Sequence, residues 1–104
     1  MNVDRLLTLR RMAEEHPEDA RFQFGLAIEL LKRGDTREGA QALQTYLNLA
    51  DDEGNGWGRL GAALADLGKV DEAREAYARG IEIASGRGHD GLAEELREAR
   101  EDLA

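Results

Sequence analysis

At 104 residues the chain is sized for one compact domain, and with no cysteine it excludes disulfides, thiolate metal sites and cysteine nucleophiles. A formal charge of -8 repels phosphate backbones and anionic headgroups, which argues against nucleic acid and membrane surfaces as partners. No segment reaches the roughly 18 apolar residues of a membrane span, and charges at Asp4, Arg5, Arg10 and Arg11 interrupt the apolar start that a signal peptide needs, so a cytoplasmic protein is expected.

Apolar residues recur at helical spacing and no stretch alternates as a strand would, so six helices are expected. The first runs from about Val3 to Glu15, with Leu6, Leu9 and Met12 on one side, and stops ahead of Pro17, which disfavours helix in the residue before it. From about Asp19 to Arg33, Leu26, Ala27 and Leu30 share a face of the second helix, and Gly34 reads as its left-handed cap. Asp35 or Thr36 caps the third, about Arg37 to Ala50, with Ala40, Leu43, Leu47 and Ala50 in phase.

The cluster Asp51 to Gly56 reads as a turn, with its glycines loosening the start of the fourth helix, about Asn55 to Leu67. Trp57, Leu60, Gly61 and Leu64 mark that helix, and Gly68 closes it. The fifth, about Val70 to Ala84, shows Ala73, Tyr77, Ile81 and Ala84. Past a Ser85-Gly86-Arg87-Gly88 turn, a possible glycine hinge, the sixth runs from about Asp90 to Leu103 with a narrow stripe of Leu92, Leu96, Ala99 and Leu103. Residues 88 to 104 carry a local charge of -4, which suits a solubilising cap.

Sliding the sequence against itself by 34 places Gly34 on Gly68, Leu26 on Leu60, Ala27 on Gly61, Leu30 on Leu64, Leu43 on Tyr77, Leu47 on Ile81 and Ala50 on Ala84. One offset therefore accounts for both hairpins. Trp57, Leu60, Gly61 and Leu64, followed by Ala73 and Tyr77, follow the pattern Trp-x2-Leu-Gly-x2-Tyr and Ala-x3-Phe, so the chain resembles the tetratricopeptide repeat family. The earlier copy is degenerate, with Gln23, Ala27, Gly39 and Leu43 at the matching places. Pro17 stands where a preceding repeat would end.

That resemblance implies an all-α fold, a right-handed superhelical stack of antiparallel helix pairs in a single domain over 1–104. It divides the chain into a half-repeat helix at 3–16, repeats at 20–53 and 54–87, and a capping helix at 89–103. Small residues at Ala27, Gly61 and Ala73 would let helices approach while Trp57, Leu60 and Tyr77 fill the spaces between.

Chemistry is sparse. Gly56 to Gly61 fits the G-x-G-x-x-G expression, but no strand precedes it. Asp51, Glu53 and Asn55 imitate half of a calcium loop whose twelfth position is Ala62 instead of glutamate. His16 and His89 lack neighbouring ligands, and Ser85, the only serine, has no triad spacing, so no enzyme, metal or cofactor is expected.

The resemblance also implies a binding groove, lined by the first helix of each repeat. Its positions fall here on Arg21, Phe24, Ile28, Leu31 and Lys32, then on Asn55, Gly58, Ala62, Ala65 and Asp66, with Arg59 as a candidate donor. Phe24 and Ile28 stand where a carboxylate clamp would need polar donors, which disfavours that mode. The expected function is a scaffold or adaptor that takes a peptide or helix of a partner protein, with Phe24→Asp and Ile28→Asp abolishing binding but not folding. The alternative is a self-associating module, a homodimer through the groove or the terminal helices.

Overall fold

A computed structural model describes residues 4–103, so Val3, where the first helix was expected to start, lies outside the described residues. Six helices run in order, α1 (Arg5–Glu15), α2 (Ala20–Lys32), α3 (Thr36–Leu49), α4 (Asn55–Asp66), α5 (Val70–Gly86) and α6 (Asp90–Glu101), with no strand among the described residues. The chain divides into two compact units at the Ala50–Asp51 junction, the first built from α1–α3 and the second from α4–α6.

In the first unit, aspartates open the helices. Asp4 accepts from the Leu6 N–H at 3.0 Å and Asp19 from the Arg21 N–H at 3.0 Å, each satisfying a donor that the first turn leaves unpaired. Asp35 occupies the N-cap of α3 without a side-chain bond, and Thr36 is already helical. α2 and α3 pack as a hairpin over Ala27, Leu30, Ala40, Leu43 and Leu47. α1 lies against α2 and buries only Ala13.

The second unit repeats that hairpin in α4 and α5 and adds α6 against α5. Gly34, Gly68 and Gly88 have φ of 84°, 78° and 78°, a left-handed conformation that a side chain resists. Each ends a helix in the same way. The N–H of Asp35, Lys69 and His89 bonds back to the carbonyl of Leu30, Leu64 and Ala84 at 2.9, 2.9 and 2.8 Å, a six-residue closure. The turn into α6 thus copies the turn inside each repeat.

Two expectations need correction here. The Ser85-Gly86 pair is helical, because Gly88 alone takes the left-handed φ, so α5 runs two residues past Ala84 and Gly86 is no hinge. Nor do glycines merely loosen the start of α4. Buried Asp52 accepts from the N–H of Gly54 and Gly56 at 2.8 and 2.9 Å, and a Cβ on Gly58 would lie 2.6 Å from Leu96 Cδ2. That end is tied down and closely covered.

The repeat signature is visible in the second core. The Tyr77 ring is buried against Gly61, where an added Cβ would sit 2.9 Å from Cδ1. Burial, with the Asp66 charge nearby, pushes the Tyr77 phenol above its usual range. Trp57 is half-buried, with the Arg79 guanidinium 5.7 Å from its ring centroid. In the first unit the degenerate Gln23 is buried at the tryptophan's place and donates to the Pro17 carbonyl at 3.4 Å.

Candidate functional site

Along α2, one helical face carries Phe24, Ile28 and Lys32 at successive intervals of four, so their side chains rise one above another. These three, together with Gly25, Glu29 and Arg5 of α1, line an open cleft of about 370 Å³ within the first unit. Its floor is apolar and its rim is charged. Phe24 is half-buried with its ring against Tyr46 of α3, centroids 4.8 Å apart and planes at 54°, a tilted arrangement that aromatic pairs favour. Gly25 lets α1 come close, since a Cβ there would be 3.1 Å from Leu9 Cδ2 of α1.

Glu29 closes one wall and is largely buried. Its carboxylate receives Arg5 Nε at 3.1 Å and Arg33 Nε at 3.0 Å, while Arg33 Nη2 also reaches Asp4 Oδ1 at 3.0 Å. The Arg33 hydrogen bond holds the Glu29 carboxyl below the usual carboxylate range, helped by the charges of Lys32, Arg33 and Arg5 against the opposing effect of burial. Beyond the cleft, Arg10 of α1 pairs with Glu38 of α3, and that hydrogen bond likewise lowers the Glu38 carboxyl. Charged contacts therefore attach α1 where apolar burial is slight.

Leu31 leaves this face, because its side chain covers Gly39 of α3, where a Cβ would come within 2.7 Å of Leu31 Cδ2. Arg21 is held by Asp19 at 2.8 and 3.1 Å and lies 5.8 Å from the Phe22 centroid. Neither lines the cleft. Phe24 is also more deeply used in packing than its place in the pattern suggests, so Phe24→Asp would disturb the Tyr46 contact as well as any binding.

On the second unit, Arg59 Nε donates to Asn55 Oδ1 at 2.9 Å, which brings those two candidates together. Ala62 and Asp66 are exposed further along α4, Ala65 is half-buried, and Gly58 lies beneath Leu96. This surface is small and polar. Arg5 and Glu29 escaped the sequence reading because their pairing joins distant positions, which no periodicity reveals. Gly25 had a weak signal, a small residue directly after Phe24 on α2.

Among the described residues no helix is long and apolar enough to cross a membrane. A comparison with curated proteins finds no match. Residues 54–87 match the family model for the tetratricopeptide repeat. The match spans α4, its Gly68 turn and α5 through Arg87, the segment in which Tyr77 closes over Gly61. With Trp57, Leu60, Gly61, Ala73 and Tyr77 in the family's phase, residues 54–87 form a tetratricopeptide repeat.

Proposed function

We propose that this protein is a non-catalytic adaptor that holds a peptide or helix of another protein, and that the α1–α2 cleft receives it. Repeats of this family are in general protein-interaction modules. The observation that carries the reading is the half-buried Phe24–Ile28 floor, left open between two helices and rimmed by charge. Apolar anchors bordered by charged side chains are a form that partner sites take. Asn55, Arg59 and Asp66, with the small Ala62, supply a second contact surface on the other unit, and the absence of cysteine suits work in the cytoplasm.

Ile28 is the residue to change, since it lines the cleft while remaining half-buried. Used as bait in the native cell extract, the wild-type chain retains a partner that Ile28→Asp loses, while the circular dichroism spectrum is preserved. Loss of helicity in Ile28→Asp would instead place Ile28 in the core.

Self-association is the second reading, favoured by Leu7, which is 62% exposed on α1. Sedimentation across a concentration series decides between them. A monomer at every concentration removes the homodimer.

A further inference from the structure

The rim of the α1–α2 cleft is not neutral in what it offers. Arg5 and Lys32 are its cations and Glu29 is its only acid among the lining residues. Glu29 has no charge left to offer, because its buried carboxylate already receives both Arg5 and Arg33. Lys32 is exposed and has no carboxylate within ion-pair distance among the described residues. Arg5 stays 71% exposed although its Nε meets Glu29, and a guanidinium has five N–H donors to share.

We propose, resting on the adaptor reading above, that this cleft selects an acidic amphipathic segment of a partner protein, one bulky apolar side chain seated on Phe24 and Ile28 with carboxylates set against Lys32 and Arg5. A basic segment would meet two cations and no unengaged acid. An uncharged one would gain nothing from the exposed Lys32 ammonium. The chain's overall charge of -8 does not forbid an acidic ligand, since charges beyond about 8 Å are largely screened at physiological ionic strength. Locally, the first unit holds seven Lys and Arg against eight Asp and Glu, whereas the second holds seven against fourteen. The excess acid belongs to the other unit.

The test uses the full chain as the target for a random peptide library displayed on phage, in parallel with Ile28→Asp and Lys32→Glu. Lys32→Glu changes an exposed side chain without an ion-pair partner, so it keeps the experiment decisive if Ile28→Asp fails to fold. The expected result is enrichment of peptides that combine one large apolar residue with two or more Asp or Glu. These should be lost on Ile28→Asp and displaced by neutral or basic sequences on Lys32→Glu. A synthetic version of the strongest peptide with its acids changed to amides should bind about three- to tenfold more weakly, the range of one or two exposed ion pairs.

Enrichment of neutral or basic peptides that Ile28→Asp still abolishes would overturn the charge selectivity and leave the adaptor reading standing. Enrichment indifferent to Ile28→Asp, or no enrichment at all, would overturn both.

Discussion

A methyl group added at Gly61 would lie 2.9 Å from the Tyr77 ring, and that ring is buried and rigid, so it cannot step aside. Gly61→Ala gains about 1 kcal/mol of helix propensity but costs about 1–3 kcal/mol of overpacking. The expected sum is a net loss of about 1 kcal/mol. Gly86 is helical too, yet nothing lies within 4 Å of its added Cβ, so Gly86→Ala should stabilise by about 0.5–1 kcal/mol. Urea midpoints of the two variants should therefore move in opposite directions. Midpoints moving together would mean that Tyr77 does not pack on Gly61. Removing the ring, Tyr77→Ala, should cost about 3–5 kcal/mol by the same assay.

At the scale of single helices, α1 depends on charge more than its neighbours do. It buries only Ala13, and its ties are Arg5 to Glu29, Arg10 to Glu38 and Asp4 to Arg33. Both glutamates are held below their usual range by arginine hydrogen bonds. A depressed carboxyl stabilises the fold above the unfolded value, about 4.3 for glutamate, and that contribution disappears as pH falls through the lower folded values. The wild type should thus lose stability below about pH 4.3 more steeply than the Glu29→Gln, Glu38→Gln double variant, whose groups no longer titrate. Thermal midpoints from neutral to acidic pH check this, and parallel acid limbs would show that the pairs contribute nothing.

How much of this was legible follows from range. The offset of 34, the six helices and the caps at Gly34 and Gly68 were readable because each is a local pattern of residue type and spacing. The end of α5 was misplaced because a serine and two glycines within four residues resemble a turn, whereas only Gly88 of these takes the turn conformation. In the cleft, Phe24, Ile28 and Lys32 were reached through the groove positions that the family resemblance implies. Leu31 lies outside the cleft because its cover over Gly39 depends on how α3 packs, and Arg5 was missed because its partner is on another helix.

Across the whole molecule the two units should answer salt in opposite senses. In the first, acids and bases nearly balance and the ion pairs of α1 join separate helices, so screening removes attraction. In the second, fourteen acids face seven bases, with Asp90, Glu94, Glu95, Glu98, Glu101 and Asp102 crowded on and just after α6, so screening removes repulsion. Exposed ion pairs such as Arg74–Asp71 and Arg97–Glu94 oppose this trend within the second unit. Each is worth about 1 kcal/mol at most and cannot cancel the acid excess. Residue-resolved hydrogen exchange in dilute and in molar sodium chloride separates the responses. Amides of α1 should exchange faster in high salt and those of α6 more slowly, each by up to about fivefold, the equivalent of 1 kcal/mol. A uniform change along the chain would mean that net charge, and not its division between the units, governs stability.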